Sequence, residues 1–219
     1  MRYYFFKVLM PAFLRNIMKF LEFKSLFKNF TVFSLADIRM ADGAFHRRRL
    51  SEWQERGYIR MLIRGYYCFS DLNLSEEVLC EIANRTYDPS YVSFESAMAL
   101  YGLIPGTALG IFSAATRKTS RFTTSVGCFL YRALKPSAFF GYTVVPYGHG
   151  TYKIAEIEKA IVDYLYLHAD DDGISALRVD PDVFRSRVNQ EKLRSFAGRI
   201  GKKALIRRVA RFMEYMEHA

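Results

Sequence analysis

Apolar positions between Thr31 and Phe69 change their period twice. Leu35, Ile38 and Met40 mark a short helix that Ser34 can cap, and Asp42-Gly43 ends it. Phe45, Leu50 and Trp53 recur at a spacing that turns one side of a second helix, Ala44 to Arg56, toward a core. Gly57 stops that helix. Tyr58–Ile63 and Tyr66–Phe69 then have the density of apolar and aromatic residues expected of two strands reversing at Arg64-Gly65. Helix, turn, basic helix and hairpin in this order predict an N-terminal winged helix-turn-helix over residues 1–71. In that fold the second helix enters the DNA major groove.

Ahead of this segment, Phe13, Ile17, Phe20, Leu21 and Phe27 suggest an amphipathic helix with lysines on its other faces. It would be the first helix of the winged domain. A helix lying on a membrane surface is the competing reading. Arg2, Lys7, Arg15, Lys19 and Glu22 interrupt the apolar run, which argues against a signal peptide or a membrane span.

Beyond Asp71–Ser75, where the domain boundary is expected, the pattern is α+β. Leu74 to Thr86 reads as a helix capped at Ser75, with Val78, Leu79, Ile82 and Ala83 on its apolar face. Asp88-Pro89 breaks it, and a further helix runs from Ser93 to Tyr101. Strands are predicted at Gly110–Ala115, Arg121–Thr124, Cys128–Ala133, Phe139–Val144 and Thr151–Ile154. A long helix covers Ala155 to His168 and stops at Asp170–Gly173; shorter and longer helices follow at Gln190–Phe196 and Lys202–Glu217. Residues 72–219 therefore predict an antiparallel sheet flanked by helices.

Composition sharpens the first half of this picture. The chain has 219 residues, 51% of them hydrophobic, and a formal net charge of +10. Residues 1–70 carry 13 Lys/Arg against 5 Asp/Glu, whereas residues 71–160 carry 8 of each. Most of the excess charge thus lies in the segment with the DNA-reader layout, and clustered cations meet phosphate through counterion release. Charge by itself fits a solvated basic surface equally well. On the second helix Arg47, Arg48, Ser51 and Gln54 fall away from the apolar face. Arg47 and Arg48 are the candidates for reading bases, Gln54 suits adenine, and Arg49 suits phosphate. Arg60 and Arg64 lie in or beside the hairpin turn and suit phosphate. Arg117-Lys118-Thr119-Ser120-Arg121 concentrates three cations at a turn, a candidate second nucleic-acid contact or a patch for an acidic partner.

Catalytic and metal-binding patterns do not emerge. There is no G-x-S-x-G, P-loop, G-x-G-x-x-G or H-E-x-x-H, and no cofactor is indicated. His46, His149, His168 and His218 are dispersed, and Asp170–Gly173 lacks the distal ligands of a calcium loop. Cys68, Cys80 and Cys128 sit in apolar runs, the pattern of buried free thiols in a reducing cytoplasm.

Several motifs in the middle of the chain resemble the AbiEi antitoxin family. They are Tyr91-Val92-Ser93-Phe94-Glu95-Ser96-Ala97, Tyr101-Gly102-Leu103-Ile104-Pro105, Thr116-Arg117-Lys118, Phe129-x-Tyr131-Arg132-x-x-Lys135-Pro136, Phe139-Phe140-Gly141-Tyr142 and Ala155-x-x-Glu158-Lys159-Ala160-x-x-Asp163-x-x-Tyr166-Leu167. The likeness extends from about Thr31 onward and is most specific between Tyr91 and Leu167. It implies an antitoxin of a type IV toxin–antitoxin system that represses its own operon through the winged helix. It also implies that the C-terminal domain counteracts a nucleotidyltransferase-like toxin without a stable complex, and that the protein assembles cooperatively on its promoter DNA. On this basis Arg117, Lys118, Arg121 and Lys159 are the expected antitoxin surface. Two other functions compete: a solitary winged-helix regulator with a dimerisation or sensing domain, and a nucleic-acid-processing enzyme, which would need an acid cluster or a nucleophile with its base.

Overall fold

The protein is described here by a computed structural model covering residues 19–106, 110–168 and 177–219. It is an α+β chain that divides between Asn73 and Leu74 into two compact units.

The first unit contains α1 (Phe20–Phe27), β1 (Phe33–Ser34), α2 (Leu35–Ala41), α3 (Arg48–Glu55), β2 (Ile59–Ile63) and β3 (Tyr66–Phe69). The strands form an antiparallel sheet in the order β1-β3-β2. Ser34 starts α2 with a capping box. Its hydroxyl accepts from the Asp37 backbone N–H, and the Asp37 carboxylate accepts from the Ser34 N–H at 2.7 Å. Such a cap is worth about 1 kcal/mol. Aromatic rings fill the core: Phe23 stacks on Trp53 at 4.6 Å between centroids and meets Phe33 edge-on at 5.1 Å.

Two expectations for this unit are corrected. The second helix starts at Arg48, not Ala44. Asp42 accounts for the difference: its side chain accepts from the Ala44 N–H and its carbonyl from the Phe45 N–H, closing a turn before the helix can begin. Phe45 is buried all the same, from the turn. In α1 the inward residues are Phe23 and Phe27, while Leu21 points to solvent. Phe13, Ile17 and the cations Arg2, Lys7 and Arg15 lie outside the described residues.

The second unit contains α4 (Glu76–Thr86), β4 (Ser90–Val92), α5 (Phe94–Leu100), β5 (Ile111–Ala115), β6 (Ser120–Thr124), β7 (Gly127–Ala133), a 3-10 turn (Pro136–Ala138), β8 (Tyr142–Tyr147), β9 (Gly150–Ala155), α6 (Ile157–Leu167), α7 (Pro181–Arg187), α8 (Gln190–Ile200) and α9 (Lys203–His218). Its six-stranded sheet runs β6-β7-β5-β4-β9-β8. The sheet is mixed, which corrects the antiparallel expectation: β5 pairs parallel with β7, and β4 parallel with β9. The chain leaves β5, skips one strand position to lay down β6, and returns as β7 in the gap. Two reversals bring β7 back to the direction of β5.

Side-chain alternation places a helical layer on each face. Tyr131 of β7 donates its hydroxyl to the Ala83 carbonyl of α4. Tyr91 of β4 has the opposite parity, through its partner Ala114, and reaches α6. Leu205, Val209, Phe212 and Met216 form the buried face of α9 as their spacing predicts. No described helix is long and apolar enough to cross a membrane.

Candidate nucleic-acid interface

Leu50 and Trp53 fix the inward side of α3. At about 100° per residue, the positions turned farthest from that side are Arg48, Ser51, Glu52 and Glu55. Arg47 sits at the N-terminal cap, exposed beside them. The Arg48 side chain is 88% exposed, and its Nε lies 3.5 Å from Glu52 one turn on. Such an exposed pair contributes about 0.3–0.5 kcal/mol and yields readily to a better ligand. Arg49 and Gln54 do not share this surface. The Arg49 guanidinium lies over the Trp53 ring, 5.4 Å from its centroid, and Gln54 is half-buried beside the core. Glu52 and Glu55 belong to the outer side of the helix and were not singled out from the sequence. Their signal was available in their angular distance from Leu50 and Trp53.

The β2–β3 hairpin reverses at Arg64-Gly65, where Gly65 has φ +93°, a conformation that disfavours any side chain. Arg64 is exposed at this tip. Arg60 is not at the tip. It pairs across the hairpin with Cys68, and its guanidinium donates to the Ser70 carbonyl, so it braces the base of the hairpin. Burial pushes the Cys68 thiol up to about 11 against the pull of the Arg60 charge, which keeps it protonated at neutral pH.

In the second unit Arg117, Lys118 and Arg121 are all exposed. Arg117 lies 4.4 Å over the Tyr87 ring and donates to the Asp88 carbonyl at 3.3 Å. The Tyr87 hydroxyl in turn donates to the Lys118 carbonyl at 2.6 Å, which pins the turn. Arg121 stands on the edge strand β6 opposite Leu130 of β7, with exposed Arg132 next on the same side of that strand. Across residues 96–155 the sequence holds six Lys/Arg and no Asp or Glu, and the exposed Asp88 carboxylate beside Arg117 pairs with Lys153. Such a surface suits phosphate or an acidic partner.

Lys159 does not belong to it, which corrects the surface expectation. The side chain is 0% exposed on α6, in a helix whose residues from Glu158 to Leu165 are all buried. Its ammonium pairs with Asp163 and donates to the Tyr91 hydroxyl at 2.9 Å. Tyr91 and Ser93 each donate to the second Asp163 oxygen at 2.8 Å. Burial lowers the Lys159 ammonium and raises the Asp163 carboxyl, each against the attraction of the other. Four residues of the family-like motifs therefore meet in one hydrogen-bonded network inside the fold.

Cys68 and Cys80 are buried free thiols, and Cys128 is half-buried. Among the described residues no group of three or more His, Cys, Asp or Glu is placed to hold a metal ion. Asp170–Gly173 lies outside them. No protein-family model matches the chain, and no curated protein matches it.

Proposed function

We propose that this protein is a DNA-binding antitoxin of the type IV kind, whose first unit is a winged helix-turn-helix that represses its own operon. The carrying observation is the outer side of α3, where exposed Arg48 and Ser51 stand opposite buried Leu50 and Trp53, with exposed Arg47 at the N-terminal cap. In this reading α2 and α3 are the helix-turn-helix pair, α3 enters the major groove, and the β2–β3 hairpin is the wing that sets Arg64 on phosphate. The net charge of +8 on residues 1–70 supports it. The exposed cations Arg117, Lys118 and Arg121, from a stretch of sequence without Asp or Glu, support a second role for the C-terminal unit: counteracting a nucleotidyltransferase-like toxin without a stable complex.

Fluorescence anisotropy with a labelled duplex from upstream of its own gene, read across a salt series, tests the DNA reading. Tight binding with log K falling linearly against log salt is expected. Binding that is absent, or equal on a scrambled duplex, refutes it. Co-expression with the product of a neighbouring nucleotidyltransferase gene tests the antitoxin role. Rescue of growth by the whole protein, lost on changing Arg117, Lys118 and Arg121 to alanine, supports it. With no such gene and no rescue, the protein is a solitary regulator.

A further inference from the structure

Two carboxylates stand on the part of α3 that would face the bases, which a purely electrostatic DNA surface would exclude. Glu52 and Glu55 share the outer side of the helix with Arg48 and Ser51, turned away from Leu50 and Trp53. Each lies close to where phosphate and base edges would be, so on non-specific DNA they repel. Carboxylates have one favourable partner in the major groove, the N4 amino group of cytosine, while arginine suits the O6 and N7 acceptors of guanine. Resting on the winged-helix reading above, we infer that α3 reads G·C-containing sequence through Arg48 and Glu55, with Glu55 accepting from a cytosine amino group.

The geometry assigns the two glutamates different tasks. Glu52 biases the Arg48 side chain, weakly, through the 3.5 Å contact to its Nε. That contact leaves the terminal guanidinium nitrogens to meet a guanine, so Glu52 is a positioning residue. Glu55 stands at the last position of the helix, exposed. It has the angular position of Arg48 two turns on. Seven residues at 1.5 Å each separate the two by about 10.5 Å along the axis, and since a helix in the major groove meets successive bases about every three residues, the two address base pairs about two steps apart. One helix can therefore address two separate base pairs. Ser51, between them, accepts or donates and tolerates either base.

This inference separates from general DNA binding because removing a carboxylate acts equally on all duplexes in one case and at a single base position in the other. If Glu55 only repels phosphate, Glu55→Gln raises affinity for every duplex by the same factor. If Glu55 reads cytosine, Glu55→Gln erases the cytosine preference at one position, by about tenfold in relative affinity, and favours adenine there, because glutamine pairs with adenine N6 and N7. Glu52→Gln should relax the guanine preference assigned to Arg48 without touching the cytosine position.

The experiment is selection from a randomised duplex pool by the full-length protein, the Glu55→Gln variant and the Glu52→Gln variant, with melting temperatures confirming that each is folded. A cytosine preference in the parent that moves to adenine in Glu55→Gln, about two base pairs from a guanine that depends on Arg48, supports the inference. A parent with base preferences that Glu55→Gln leaves unchanged overturns it while sparing the DNA reading. A folded parent that selects no sequence overturns both.

Discussion

Replacing Lys159 with methionine is the sharpest test of the C-terminal unit, because the surface expectation and the structure give opposite outcomes. Methionine approximates the length and volume of the lysine stem, so packing changes little. Electrostatics change a great deal. The Asp163 carboxylate, fully buried, loses its ion-pair partner and keeps only the Tyr91 and Ser93 hydroxyls. Breaking a buried pair from one side typically costs about 3–5 kcal/mol. For a domain of about 150 residues each kcal/mol lowers Tm by roughly 2–4 °C. The unfolding midpoint, followed by circular dichroism, should therefore fall by about 6–20 °C. The loss should depend on pH. Burial already raises the Asp163 carboxyl above its ordinary value, and removing the ammonium raises it further. A carboxyl raised in this way favours the folded state while protonated, and that contribution is lost as pH rises through the folded value. The deficit of Lys159→Met should thus be widest near neutral pH and narrow on acidification. Adding Asp163→Asn removes the stranded charge and should recover part of the loss. A Lys159→Met protein that melts within 2 °C of the parent at neutral pH would refute the reasoning and return Lys159 to the surface.

Trp53→Ala should cost about 3–5 kcal/mol, since the ring is 3% exposed between Phe20, Phe23 and Phe45; an unchanged denaturation midpoint with lost DNA affinity would place it on the DNA side instead. Gly110→Ala should destabilise strongly, because a Cβ there runs into the Cys128 carbonyl at a φ of +120°, whereas Gly198→Ala, in open space within α8, should stabilise by about 1 kcal/mol; urea melts of the two variants check both signs. Arg64→Ala should weaken binding equally on all duplexes and lower the salt slope by about one; a change of base preference would contradict its assignment to phosphate.

The sequence carries the first unit well because its signals are local. The Leu50 and Trp53 spacing, the Ser34 cap and the Gly65 reversal each act within a few residues. The start of α3 escaped because the Asp42 side chain closes a turn over residues that otherwise look helical. In the second unit β4 escaped as three buried residues, too short to show alternation. The signal for α7 was present and missed: Asp180 caps it, with Pro181 in its first turn. Strand direction is a tertiary property, so nothing local in β6 or β7 announces that one inserts beside β5. The i, i+4 spacing of Lys159 and Asp163 was legible as a helical ion pair. Its burial follows from Ala160, Ile161 and Val162 and from the layers packed around α6, which a single helix does not display.

The central claim is that Arg47 and Arg48, at the N-terminal end of α3, read DNA. Fluorescence anisotropy with the duplex upstream of the gene, comparing the parent with an Arg47→Ala, Arg48→Ala variant of equal melting temperature, tests it most directly. Removing two base-reading arginines should cost about 2–6 kcal/mol on the specific duplex and less on a scrambled one, so that specificity collapses. Equal affinity of the folded variant and the parent for the specific duplex would contradict the claim.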